Sequence, residues 1–346
     1  LPLGRSFLDC ILKAIDQQEE TMNNNMTRRQ WAVATGSTLL AGAAGAQDFP
    51  NKPIRIVVPQ APGGGTDILA RNLAARMTDL LKQGVVVENR TGAGSLVGTE
   101  FVARAPADGY TLLMGGIFNM VMNKALVKNL SYSPENDFVS LGFVSAYPFV
   151  LLMRPDLPIS NLAELAAYAK ARPGKMSYGS GGMGTLQHVW GAILTSSLGL
   201  DMIHVPFKGA APAHQEMMAG RLDIMFDNIS AAKPHIQAGR LKGLVVSSAQ
   251  RSTQLPNIPT VNETGLTRFE GESWFGVFAP AATPAPVVAR LRETLAGINR
   301  EAEFLARVER DGGRMLNIAP AQQQTFLREE IDRWVGSVSR YKVSAD

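Results

Sequence analysis

Three consecutive glycines between an apolar run and a helical pattern limit what this chain can fold into more than any other stretch. Ile54-Arg55-Ile56-Val57-Val58 reads as a buried strand, because a short β-branched run bounded by proline suits a pleated sheet. Farther on, Leu69, Leu73, Met77 and Leu80 fall one turn apart, which predicts an amphipathic helix. Between them lies Pro62-Gly63-Gly64-Gly65-Thr66-Asp67, whose glycines leave main-chain N–H groups open to a small ligand. Those groups stand at a helix N-terminus, where free donors and the helix dipole favour an anion. A tight strand-to-helix reversal explains the same glycines without a ligand, and Thr66 and Asp67 are ordinary helix-start residues. From these residues alone both explanations stay open.

The rest of the first half repeats the pattern. Val85 to Arg90 predicts a second strand, Thr91 to Gly98 a turn into another helix, and Tyr110 to Met114 a third strand. Strands alternating with helices imply a parallel sheet with right-handed crossovers, with ligands at the carboxyl ends of the strands. A second copy comes later: Lys175 to Tyr178 as strand, Gly179-Ser180-Gly181-Gly182-Met183-Gly184-Thr185 as loop, and Leu186 to Leu198 as helix. His188 sits in the first turn of that helix, where the dipole disfavours a charged ring, so it reads as a packed or capping neutral histidine. If the two halves face each other, both helix N-termini point into one cleft. Leu222 to Asn228 predicts a strand with polar residues, Asp227 among them, at its carboxyl end. Phe149 to Met153 and Trp274 to Phe278 flank the central segment and are expected to cross between two domains. The expected division is 47–148 plus 272–346 for domain one and 149–271 for domain two.

Of 346 residues, 45% are apolar and 18% charged, enough for a large core. The 34 basic and 30 acidic residues form no blocks, which gives no electrostatic reason to expect nucleic acid or an anionic membrane as partner. Cys10 is the single cysteine and the four histidines form no ligand cluster, so neither a disulfide nor a metal site is expected. Met26-Thr27-Arg28-Arg29 followed by the small apolar run Ala32 to Ala46 reads as a signal peptide spanning 26–46, cleaved before Gln47. Its apolar run is too short and polar to span ~30 Å of hydrocarbon. Residues 1–25 form an upstream segment whose nativeness stays open, as does the choice between general and twin-arginine export.

Two enzyme classes can be tested against the motifs. Gly179 to Gly184 satisfies G-x-G-x-x-G, but the dinucleotide fingerprint needs an acid at the end of the next strand, where Phe207-Lys208 stand. Ser95 and Ser180 lack the preceding glycine of G-x-S-x-G, so no nucleophile elbow exists. No catalytic residue and no cofactor is assigned.

Several motifs, in order along the chain, resemble the substrate-binding proteins of tripartite tricarboxylate transporters, also called the Bug family. They are Phe49 to Ile54, Pro62 to Asp67, Val86 to Arg90, Ala107 to Leu113, Pro173 to Lys175, Tyr178 to Gly182 with His188, His204 to Gly209, and Leu255 to Thr260. The resemblance implies an α/β fold of the periplasmic-binding-protein (Venus flytrap) type, with two doubly wound domains and two crossover strands. It implies a periplasmic, non-enzymatic receptor that captures a small carboxylate: a di- or tricarboxylate, an aromatic carboxylate, or an amino acid or its amide. Carried onto this chain, the binding loops are Ala61, Pro62, Gly63, Gly64, Gly65, Thr66 and Asp67, and Gly179, Ser180, Gly181, Gly182, Gly184 and Thr185, with His188 and Asp227 completing the cleft. Gly64, Gly65, Gly181 and Gly182 are expected to offer N–H groups to the carboxylate, so that a side chain at Gly64 would obstruct it or force a forbidden backbone angle. Asp67 is expected to hold the first loop in shape and, for an amino acid, to meet its ammonium. The implied partners are a large and a small transporter membrane subunit, or a sensor protein; a monomer is expected. Phe207, and the pair Gly65-Thr66, depart from residues frequent in the family.

Overall fold

The computed structural model describes residues 49–341 and 343, so the segments read as an upstream extension and a signal peptide lie outside the described residues. The chain divides into two units, Leu1–Asn51 and Lys52–Asp346, and every described strand and helix belongs to the second.

Strand β1 (Ile54–Val58), helix α1 (Gly65–Leu81), β2 (Val85–Asn89), α2 (Leu96–Ala103) and β3 (Thr111–Gly116) alternate as the sequence predicts, and β1 pairs parallel with both β2 and β3. In α1, Leu69, Leu73 and Met77 are buried, but the next buried position is Leu81, while Leu80 is 43% exposed. Steps of three and four residues both keep to one helix face, and here the step of four continues under the sheet.

The first three strands pair parallel, in line with the alternating pattern, and the sheet becomes mixed beyond them. β9 (Glu272–Pro280) lies antiparallel between β3 and the long strand β4 (Phe138–Met153). The apolar run from Tyr147 reveals only the end of β4, because Ser140, Gly142 and Ser145 interrupt the pattern upstream although both serines are buried. Next come α3 (Leu162–Lys170), β5 (Met176–Ser180), α4 (Leu186–Ser197), β6 (Met202–Pro206), α5 (Ala210–Met218), β7 (Ile224–Asn228), α6 (Ile229–Gln237) and β8 (Lys242–Val246). β5 pairs parallel with β6 and β7, whereas β7 and β8 run antiparallel to β4. After β9 the chain closes with α7 (Ala285–Ile298), α8 (Ala302–Arg310), β10 (Arg314–Met315) and α9 (Gln323–Arg340). The strand order is β2-β1-β3-β9-β4-β7-β5-β6, with β8 and β10 also on β4.

β4 therefore serves two halves of the sheet. β9 follows one edge as far as Pro148, opposite Glu272; β7 covers the other edge from Phe149, and β8 takes over the first edge with Val246 opposite Val150. Ser247, wholly buried, sits at this handover. Its N–H donates to Phe149 O at 2.8 Å and its Oγ accepts from Phe149 N at 2.9 Å. On its other side, Oγ donates to Gly271 O at 2.6 Å and Ser247 O accepts from Gly271 N at 2.8 Å. Ser247 thus joins the two chain segments that pass from one half to the other. Aromatic packing seals the same place: Trp190 lies 4.0 Å from Phe149 and 6.0 Å from Trp334, ring centre to ring centre. A Cβ on Gly271 would come within 2.5 Å of the Trp334 ring, so only glycine lets the backbone through.

Replacing the Ser247 hydroxyl strands a buried donor, Phe149 N–H, and weakens the satisfaction of Gly271 O. Ser247→Ala should lower unfolding stability by about 2–4 kcal/mol in denaturant titrations. A loss below about 0.5 kcal/mol would mean that the hydroxyl does not tie these strands.

Candidate functional site

A cavity of about 320 Å³ opens between the two halves of the sheet. Thr66 of the first glycine loop and Thr185 of the second both line it, so the structure brings the two loops to one cleft. Ser95, the residue that starts α2, joins them, and three helices, α1, α2 and α4, begin on this cavity. Gln60, Asn119, Gln187 and Ser273 add neutral polar groups, while Met114, Phe149 and Phe275 supply apolar wall. Among the described residues, no ionised side chain lines it. An anion here would meet helix dipoles and N–H donors rather than a fixed cation.

In the first loop, Ile68 N–H is the first helical donor to be used, by Gly64 O at 3.0 Å, which leaves Gly65, Thr66 and Asp67 N–H without helical acceptors. Asp67 is 2% exposed and shapes the loop, as expected of it. Its Oδ2 accepts from Gly63 N at 2.9 Å and Arg71 Nε at 2.9 Å, and its Oδ1 from Asn89 Nδ2 at 3.0 Å. Asn89 also donates to Gln60 O at 3.1 Å, so this network fixes a cavity wall residue. The Arg71 guanidinium, with Gly63 N–H and Asn89, holds the Asp67 carboxyl at about 2 against the opposing effect of burial. With its oxygens so engaged and off the cavity wall, Asp67 is not placed to meet a ligand ammonium.

Gly64 corrects another expectation. Its backbone, at φ −77° and ψ 167°, is open to any residue, and a Cβ there would meet nothing nearer than Ala61 O at 3.6 Å. Gly63, at φ 82°, is the glycine that the turn requires. Ala61, Pro62, Gly63 and Gly64 are exposed and line neither this cavity nor the compartment that adjoins it; Gly65 reaches that second compartment.

The second loop is held from within. Gly179 and Ser180 lie in β5, and a Cβ on Gly179 would strike Leu222 at 2.5 Å, so that glycine serves packing. Gly182 N donates to Ser180 Oγ at 3.2 Å, and Gly184 N to His188 Nδ1 at 3.1 Å, so neither N–H is free for a ligand. Gly181 is half-buried against Gly209 and is not on the cavity wall. The free donors lie one step on, at Leu186 and Gln187 in the first turn of α4, where Thr185 caps His188 N. Asp227 is likewise behind the wall: its Oδ1 accepts from Gln187 Nε2 at 3.2 Å and its Oδ2 lies 2.9 Å from His214 Nε2. It positions Gln187 instead of meeting the solute. Gln60, Ser95, Asn119, Gln187 and Ser273 escaped the sequence reading; a signal existed for Gln187, in the first turn after the second loop, and for Ser95, in the turn that leads into the second helix.

His188 stacks on His204 at 4.1 Å with 13° between the rings, and His204 stacks on Tyr178 at 4.8 Å. Ser180 Oγ lies 2.7 Å from His204 Nε2. Burial lowers the pKa of His188, and burial together with the charge of His188 lowers that of His204 to about 4. Since Nδ1 of His188 accepts the Gly184 N–H, protonating it would break the loop's inner bond.

Residues 69–341 match the model of the tripartite tricarboxylate transporter family receptor. The chain belongs to this family. BugT of Bordetella pertussis is 33% identical over 91% of this chain and 97% of its own. A protein of R. palustris solved with adipate is 31% identical, with a TM-score of 0.77 over 86% of this chain and 99% of its own. MatC from Rhodopseudomonas palustris, solved with bound malate, is 33% identical, with a TM-score of 0.73 over 84% of this chain and 100% of its own. The fold is that of the family's periplasmic binding proteins, and its members are solute receptors, not enzymes.

The histidine pair gives the loop a pH window. Both folded-state pKa values lie below the usual 6.5, so the stability tied to neutral rings is complete above that pH and is lost as pH falls toward 4. Histidine ring NMR should place His204 near 4, and thermal stability should decline between pH 6.5 and 4. A His204 that titrates at an ordinary value would refute the buried stack.

Proposed function

We propose that this family member is an exported periplasmic receptor, its leader removed near Ala46/Gln47, that captures a small carboxylate in the cavity of about 320 Å³. Two lobes, 47–148 with 272–346 and 149–271, close over the solute, and the loaded receptor delivers it to the large and small membrane subunits of a tripartite tricarboxylate-type transporter. The observation that carries this is the convergence of three helix N-termini, at Thr66, Ser95 and Thr185, on one cavity without ionised side chains among the described residues. A carboxylate satisfies their free donors without the desolvation of a buried counter-ion, and ordered water can bridge what it does not reach. The adipate and malate complexes of relatives support the solute class.

Thermal-shift screening of a carboxylate library tests the reading, since a ligand at 100 times its dissociation constant adds ~2.7 kcal/mol. Stabilisation by nucleotides and by no carboxylate would overturn it. The residues are tested by calorimetry on folded variants. Thr66→Val and Gln187→Ala should each weaken the solute about tenfold or more, in line with ~1.5–3 kcal/mol for a hydrogen bond to a charged group. Gly64→Val, with ordinary backbone angles and off the cavity wall, should fold and bind nearly as the parent does. The reverse pattern would move the solute to the outer face of the first loop.

A further inference from the structure

A second compartment of about 610 Å³ adjoins the first and shares Thr66 and Phe275 with it. Its chemistry differs. Arg307, in the last turn of α8, and Asp311, just past that helix, line it one turn apart. Both are exposed, and neither has a partner at ion-pair distance among the described residues. The i, i+4 pairs that close in this chain have the acid first, Asp67 with Arg71 at 2.9 Å and Glu100 with Arg104 at 2.5 Å; Arg307 and Asp311 stand in the reverse, less favourable order and stay open. Asp311 is moreover placed at a helix C-terminus, where the dipole disfavours an acid. An acid and a base held apart at the rim of a solute cleft fit a ligand that brings both complementary charges.

Both charges act on the same wall. Burial raises the pKa of the Tyr147 phenol, Ser145 opposes that, and beyond them Asp311 raises and Arg307 lowers it, which puts both near this ring. Tyr147 packs edge-on against Phe275 at 6.0 Å, so the shared wall and the charged pair are continuous.

We propose that Arg307 and Asp311 are specificity-determining residues that read the far end of the solute, and that they select a zwitterionic head group, an ammonium and a carboxylate on one carbon. Arg307 takes the carboxylate and Asp311 the ammonium, while the solute's other carboxylate occupies the neutral compartment. This rests on the carboxylate reading of that compartment. A plain second carboxylate would gain from Arg307 about what it loses to Asp311 at similar distance. An apolar end would cover two charges without replacing their water. A head group carrying both signs gains from each.

Titration calorimetry compares glutarate with glutamate, and adipate with 2-aminoadipate, on the wild-type protein and on Arg307→Ala and Asp311→Asn. Both side chains are exposed, so melting temperatures should stay at the parent value. The amino derivative of each pair should bind at least tenfold more tightly to the parent protein. Asp311→Asn should abolish that preference and strengthen the plain diacid, and Arg307→Ala should weaken the amino derivative tenfold or more. Equal affinities within each pair, or affinities that neither substitution moves, overturn the proposal and leave the carboxylate reading intact. If none of the four solutes binds the parent protein, this assignment falls, while the carboxylate reading stands or falls on the library screen.

Discussion

One strand belonging to two halves of a sheet is the constraint on which this architecture turns. β4 runs 16 residues, roughly 50 Å at ~3.3 Å per residue, with β9 beside its first part and β8 beside its second. A strand handed from one neighbour to another leaves a gap in the ladder, and buried backbone groups at a gap need partners. Ser247 supplies them on both sides, to Phe149 and to Gly271. β4 links the two sheet halves between which the cavity opens, and Phe149, which the join positions, forms part of the cavity wall.

The site shows two electrostatic styles side by side. Around Thr66, Ser95 and Thr185, the favourable field for an anion comes from neutral donors and helix dipoles, with the carboxyl side chains of Asp67 and Asp227 kept behind the wall. Asp67 closes the loop through Gly63 and Asn89, and Asp227 aims Gln187. Around Arg307 and Asp311, formal charges stand at the rim. Buried charges here orient other groups, and exposed charges remain available to a solute.

Local chemistry was legible and its assembly was not. The β-branched run Ile54 to Val58 and the four-residue steps of α1 are properties of neighbouring residues, so the first strand and helix stand where the pattern put them. Thr66 and Thr185, which end the two glycine loops, line one cavity, yet most of the loops' glycines serve turns and packing: Gly63 for its positive φ, Gly179 for its contact with Leu222. Donors to the cavity lie a residue or two farther on, in the first helical turns, because that is where N–H groups lose their partners. Ser95 comes from the start of a helix, Asn119 from a short helical segment and Ser273 from a strand, and only the fold places them together. The first part of β4 was hidden for a related reason, since Ser140 and Ser145 are buried polar residues that break an apolar pattern.

The aromatic knot at the join has an optical consequence. Among the described residues the tryptophans are Trp190, Trp274 and Trp334, and none is remote from the place where the chain passes between sheet halves. Trp190 and Trp334 face each other across Gly271, while Trp274 Nε1 donates to Glu330 one turn before Trp334. Indole emission depends on the polarity and packing around each ring, and these rings are buried and packed against one another. These tryptophans therefore sit where any rearrangement of the join would be read in the colour or intensity of the protein's own light, without an added label.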